Sequence, residues 1–426
     1  MLPKKEKKVK VAKKNSQQAA DQNLIYIQIA SYRDPQLLIT LKDCIDKAKH
    51  PENLRFGIAW QHSNEQNLSK YKEDKRFKIL DIPYKESKGA SWARSQINSL
   101  YSDEKYTLQI DSHTRFIQNW DEELISMWES MNDPYAVLTT YPSDYYPNLP
   151  EEKWVKTPYV IHTHSILDGK TQQRPRVLPN WEDIKSPIRA IHLAAGFVFS
   201  IGQMIKDVPY DPNLYFIGEE MNLSIRLYTH GYNLYHPHKI IIWHYYIRKG
   251  NPKHWDDHSD WGNNSLQADI RNDCLLKRKF DINLGIYNLG NKRTLEEYQN
   301  YSGIDYTRNI LHLDTIDGKE PPRDLSDFSK WSYEIKEHRE TIKWNYNIID
   351  KTKPYRFWAF IFKDQTNNEI YRQDVLYSED KDLLDGIKRE KEFVFNYYSP
   401  AQKPSVLIIW PYAESMEWLN KTIINL

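Results

Sequence analysis

The segment Tyr106-Thr-Leu-Gln-Ile-Asp111-Ser-His113 carries the most distinct chemical capacity in this 426-residue chain. An apolar, β-prone run ends in a carboxylate and, two positions on, an imidazole. Open α/β sheets place ligands at the carboxyl ends of their strands, so a strand that stops at Asp-x-His sets two metal-capable groups at such an edge. Oxygen and nitrogen donors together suit Mn²⁺ or Zn²⁺ better than Ca²⁺. Both residue types also end ordinary strands, so the flanking sequence has to decide.

The elements that position the triplet are legible from hydrophobic periodicity. Leu24–Ala30 reads as a buried strand, Ser31-Tyr-Arg-Asp-Pro35 as the turn after it, and residues 37–49 as a helix. Strands follow at Leu54–Trp60 and Phe77–Ile82, then a helix over residues 89–100, and then the strand that ends at Asp111. Strand and helix alternate at α/β spacing, which predicts a mostly parallel sheet. Further on, a helix is expected over Trp120–Met131 and strands at Ala136–Thr140, His192–Ser200, residues 232–237 and Lys239–His244, with a helix at Met221–His230. Residues 142–187 are rich in Pro, Tyr, Trp and His, show little periodicity and read as a long functional loop. Beyond residue 310 the composition shifts to Asp, Lys and Pro. Strand patterns then recur at residues 355–362, 369–375, 391–397 and 405–410, which predicts a small antiparallel β module.

Composition narrows the function. The 59 basic and 58 acidic residues leave a net charge of +1, which gives no global field for nucleic acid or an anionic membrane. No apolar run approaches the ~18 residues of a spanning helix. Cys44 and Cys274 make no disulfide framework, and a reducing, cytoplasmic compartment is the expectation. The chain holds 30 Tyr and 14 Trp against 13 Phe. Rings with a polar handle serve sugar and nucleotide sites, although they also fill half-wet cores. The Lys-rich start predicts a disordered basic tail over residues 1–22. The remainder divides into 23–310 for the α/β domain, 311–352 for a linker and 353–426 for the β-rich module.

Eight segments in order carry a family resemblance: residues 27–35 (IQIASYRDP), 56–61 (FGIAWQ), 89–94 (GASWAR), 108–116 (LQIDSHTRF), Trp120-Asp121, 195–197 (AGF), 218–220 (GEE) and 243–246 (WHYY). Together they resemble the GT-A glycosyltransferases of the polypeptide (hydroxyproline) α-N-acetylglucosaminyltransferase type, over roughly residues 24–262. The resemblance implies a Rossmann-like GT-A domain, a UDP-sugar donor, Mn²⁺ or another divalent cation, and retaining transfer of N-acetylglucosamine to a hydroxyl on a protein or glycan. It also implies that Asp111, His113 and His244 hold the cation and the donor diphosphate. His244 read alone, beside Trp243, is better explained as a core histidine.

Nucleotide contacts are expected from Ser31, Tyr32 and Arg33 in the first strand-to-helix turn, from Arg94 and Asp111, and from Arg248, with Lys249 beside it. Arg94 could equally serve a surface ion pair, and for Arg248 and Lys249 a solvated loop charge is the competing reading. Glu219 and Glu220 fall on the acceptor side, where a carboxylate can orient a hydroxyl; acidic residues also favour any helix start. His162/His164, His236/His238 and His254/His258 have spacings that permit, without favouring, a second metal. The competing reading is a carbohydrate- or protein-binding scaffold that keeps the fold without turnover. The β module is open to acceptor recognition, self-association or docking.

Overall fold

The computed structural model describes residues 23–426 except 64–65, 249, 327–329, 332–334, 344–353, 368, 377–391, 401–403 and 416. The expected tail, residues 1–22, and Lys249 lie outside the described residues. Two compact units divide the chain. The first comprises the described residues within Met1–His164, Gly169–Thr307 and Asp314–Leu325, and the second those within Ser165–Asp168, Arg308–Leu313 and Ser326–Leu426.

Among the described residues the strands that build the site are, in chain order, β1 Ile25–Tyr32, β2 Leu54–His62, β3 Phe77–Pro83, β4 Tyr106–Asp111, β5 Thr114–Phe116, β6 Ala136–Thr139, β7 Ser143–Asp144, β8 Tyr159–Leu167, β9 Lys170–Val177, β10 Ile188–Arg189, β11 Phe197–Ile201, β12 Asn233–His236 and β13 Ile242–His244. The principal sheet has the order β10-β12-β6-β11-β4-β1-β2-β3. β1 to β4 are mutually parallel, and β11 runs antiparallel between β4 and β6. The α/β class is as expected, while the sheet is mixed and not mostly parallel, because β11 and β10 run against their neighbours.

Alternation explains why both faces are covered. In β1, Ile25, Ile27 and Ile29 join Phe56, Ile58, Leu108 and Ile110 in one core, packed with Leu37 and Leu41 of the first helix and with Trp120 and Leu124. Tyr26 faces the other way, among Ala93 and Ile97 of the helix Ala90–Asn98. Its hydroxyl donates to the Ile97 carbonyl at 2.7 Å. That ring crosses β2 so closely that a Cβ on Gly57 would meet the Tyr26 oxygen at 1.9 Å; the glycine is what lets the ring lie there.

Two expectations are corrected. The stretch of residues 142–187 is not a featureless loop, because β8 and β9 pair there as a two-stranded sheet. The strand expected from His192 begins only at Phe197. Upstream, the backbone amides of Leu193, Ala194 and Ala195 donate to Ser224 Oγ, Thr139 Oγ1 and Glu220 Oε1 at 2.8, 2.9 and 2.8 Å. Side-chain acceptors have replaced the ladder, which apolar patterning cannot reveal.

The second unit is antiparallel, as expected. Glu369–Leu376, Tyr355–Lys363, Val406–Ala413 and Thr422–Asn425 form a four-stranded sheet in that order, and Ile335–Lys343 pairs with Glu392–Pro400. Trp358, Phe360, Phe362, Leu407 and Ile409 alternate on one buried face. Asp314–Leu325, in the stretch expected as linker, belongs to the first unit. Among the described residues no helix is long and apolar enough to cross a membrane.

Candidate active site

β4 ends at the carboxyl edge of the sheet, between parallel β1 and antiparallel β11. The chain turns at once through Asp111-Ser-His-Thr into β5. Thr40 Oγ1 fixes this turn by donating to the Ser112 carbonyl at 2.8 Å. β5 and β7 flank β13, whose last residue, His244, lies opposite Thr114. A short accessory sheet thereby carries His244 onto the end of β4.

The candidate metal ligands converge. Asp111, His113 and His244 each offer one atom, and these atoms lie within 4.8 Å of one another; no other such group occurs among the described residues. His244 Nε2 is 3.1 Å from Asp111 Oδ2, and His113 Nε2 is 4.0 Å from the same oxygen. Gly196 leaves room above them, for a Cβ there would lie 3.1 Å from Asp111 Oδ2. His244 Nδ1 is buried without a hydrogen-bond partner. Burial opposes ionisation of Asp111, but the His244 hydrogen bond and the charges of Arg94 and His113 outweigh it and hold the carboxyl far below its usual range. Burial also lowers the His244 imidazole, which favours its neutral, ligating form. Donor types, spacing and protonation fit a divalent cation of the Mn²⁺ kind.

Arg94 is committed to protein carboxylates. Its Nη2 donates to Asp111 Oδ1 at 3.2 Å and its Nη1 to Glu219 Oε1. Glu219 also accepts from Ser91 Oγ at 2.7 Å, so both of its oxygens are occupied. Glu220 has a different setting: Oε1 accepts from the Ala195 amide at 2.8 Å and Oε2 from the Tyr141 hydroxyl at 2.9 Å. Burial pushes its carboxyl up to about 7 despite these donors.

The turn after β1 is held on several sides. Tyr32 Oη donates to Asp257 Oδ2 at 2.7 Å, Arg33 pairs with the same carboxylate at 2.8 Å, and the Arg33 guanidinium stands 4.5 Å from the Tyr84 ring centre. Arg33 takes φ 45°, an uncommon value for a side-chain-bearing residue that this double anchorage maintains. Ser31 Oγ is buried and has no hydrogen-bond partner among the described residues, a polar atom still open to a ligand.

Asp34 escaped the sequence reading. Its wholly buried carboxylate accepts from Ser112 Oγ, His113 Nδ1 and Arg248 Nη1 at 2.7, 2.6 and 3.2 Å. The signal available was an acidic residue in a tight Arg-Asp-Pro turn at a strand end. Tyr141 and Ser91 were missed as well, and no local pattern marks either. The remaining histidine pairs make no metal group: His162 and His164 project from β8 with ring centres 6.5 Å apart, and His254 stacks on His258 at 4.0 Å.

The chain belongs to the family described as Glycosyltransferase (GlcNAc), which it matches over residues 24–75 and 66–308. No curated protein matches it by sequence. Among solved structures it is similar to GalNAc-T7 with UDP, GalNAc and Mn²⁺ (17% identity, TM-score 0.42, covering 54% of this chain and 45% of that one). It is also similar to TarS 1-349 of S. aureus with UDP-GlcNAc (13%, TM-score 0.38, 61% and 68%). A third similarity is to the mannosyltransferase PcManGT of Pyrobaculum calidifontis with GDP-Man and Mn²⁺ (8%, TM-score 0.33, 53% and 58%). The chain thus spans less than half of the GalNAc-T7 chain.

Proposed function

We propose that this glycosyltransferase moves N-acetylglucosamine from UDP-N-acetylglucosamine to a hydroxyl of a protein or glycan, in a retaining, Mn²⁺-dependent reaction. The observation that carries the reading is the convergence of Asp111, His113 and His244 at the carboxyl end of β4. These three side chains would hold the cation, which when bound would supply positive charge to offset the negative charge developing on the leaving diphosphate.

The chain's own residues account for the rest. Arg94 keeps Asp111 ionised and oriented, and spends its second nitrogen on Glu219. Arg248, tethered to Asp34 beside the cluster, is the cation placed to reach the diphosphate. Ser31, Tyr32 and Arg33 form the nucleotide side, with Ser31 Oγ as the open polar atom. Glu220 is the carboxylate left for the acceptor: its oxygens accept one hydrogen bond each from neutral donors, whereas Glu219 is held in the Arg94 ion pair, and that setting suits holding a hydroxyl in place. Glu219, already saturated by Arg94 and Ser91, is poorly placed for nucleophilic attack. Within the proposed retaining course, that favours direct attack by the acceptor, with the donor phosphate taking its proton, over a covalent enzyme intermediate. A cytoplasmic setting is part of the proposal, supported by the free thiols of Cys44 and Cys274.

The test is UDP release from a panel of UDP-sugars with and without Mn²⁺. Turnover of UDP-N-acetylglucosamine alone, and only with the cation, is the expected result. Equal turnover after chelation would remove the metal assignment. Glycan or partner binding indifferent to both Mn²⁺ and UDP, with no turnover, would favour the non-catalytic scaffold.

A further inference from the structure

We propose that Asp34 is a positioning residue that sets the tautomer of His113 and aims its Nε2 at the cation site. The proposal rests on the metal reading above. Asp34 is 2% exposed and its carboxylate atoms are fully covered. Four donors converge on it: the Gln36 amide on Oδ1 at 2.9 Å, and Ser112 Oγ, His113 Nδ1 and Arg248 Nη1 on Oδ2 at 2.7, 2.6 and 3.2 Å. Those donors come from the first strand-to-helix turn, the turn after β4 and the segment after β13, so one carboxylate ties together three stretches that are remote in sequence.

An ionised carboxylate only accepts. The proton between it and His113 therefore sits on Nδ1, which leaves the Nε2 lone pair free on the side facing Asp111. A carboxylate behind a ligating imidazole fixes ring orientation and strengthens the donor atom. The same oxygen holds Arg248, so the residue that orients a ligand also tethers the cation assigned to the diphosphate.

Asn is the diagnostic replacement because its shape is the same and its hydrogen-bond polarity is not. One neutral acceptor oxygen cannot hold the four donors that two ionised oxygens hold. If the Asn NH₂ faces His113, Nδ1 must accept and the ring proton moves to Nε2; if the Asn oxygen faces it, the ring loses the ionised partner that fixes its orientation and strengthens its donor atom, and either outcome weakens the hold on the cation. Purified Asp34→Asn and the unaltered chain are titrated with Mn²⁺ and followed by electron paramagnetic resonance. A 10- to 100-fold weaker affinity is expected for the variant; affinities within about threefold of each other would overturn the proposal.

The ¹⁵N spectrum of histidine-labelled unaltered protein gives a readout that does not depend on the variant folding, with His113 assigned from His113→Asn. It should show the Nδ1–H tautomer, and an Nε2–H tautomer at His113 would overturn the proposal. Failure of the unaltered protein to bind Mn²⁺ would instead remove the metal reading, and the tautomer would still decide the part played by Asp34.

Discussion

His244 Nε2 stands 3.1 Å from Asp111 Oδ2, although 133 residues separate them in the chain. The contact is a product of strand register. His244 lies opposite Thr114 in the β5–β13 pair, and Thr114 is only three residues past Asp111. The approach of these two side chains is therefore set by a β ladder and not by a closing loop.

Asp111→Asn and His244→Ala should each lower Mn²⁺-dependent UDP release by 10²-fold or more. Far-ultraviolet circular dichroism should remain unchanged, because Arg94 keeps Glu219 as a partner in both variants. Normal turnover in either would exclude that side chain as a ligand.

The two neighbouring glutamates should separate. Glu219→Gln breaks a buried ion pair whose side chains are each 8% exposed, and leaving Arg94 with a weaker partner should cost about 3 kcal/mol in a urea titration. Glu220→Gln should leave kcat/KM within about tenfold, with the product still of retained configuration by proton NMR. A loss beyond 10²-fold with inverted product would make Glu220 a general base.

Stability should respond to pH in two opposed ways. The Glu220 carboxyl is pushed up by burial from 4.5 to about 7. The folded state binds its proton more tightly than the unfolded chain, so stability falls as pH rises from 4.5 to 7, by at most about 3 kcal/mol. Glu220→Gln should remove that loss and be the more stable protein at pH 8, with no gain at pH 4. Burial pushes His162, His164 and His236 down from 6.5 to about 4 and His192 to about 3. Their contribution is present above 6.5 and is lost as pH falls toward those values. Denaturant midpoints across pH 4–8 check both slopes.

Gly196→Ala should damage activity more than folding. The added methyl would lie 3.1 Å from Asp111 Oδ2 and 3.7 Å from His244 Cδ2, so the ligands must shift by a few tenths of an ångström. A displacement of that order should lower kcat/KM about tenfold, with the thermal midpoint nearly unchanged. Full activity would show that the cluster tolerates the crowding.

The α/β architecture was legible because its strands are apolar and its helices periodic. Ile25, Ile27 and Ile29 alternate with Tyr26 and Gln28, and the helix beginning at Ala90 repeats its small residues at one face. The hairpin β8–β9 was not legible, because prolines and histidines obscure its alternation. The backbone of Leu193 to Ala195 was misread as strand because apolar side chains do not reveal whether a ladder or a side chain receives the amides.

Residue order alone determined that a carboxylate and an imidazole end a buried strand, that strands and helices alternate around it, and that a second β unit follows. Those are local facts, set by side-chain polarity over a few residues. Only the tertiary structure decided which groups are spoken for: Arg94 by Asp111 and Glu219, Tyr32 and Arg33 by Asp257, and His113 by a buried Asp34. Hydrogen bonds and ion pairs depend on ångström distances between segments remote in sequence, and no pattern along the chain encodes those distances.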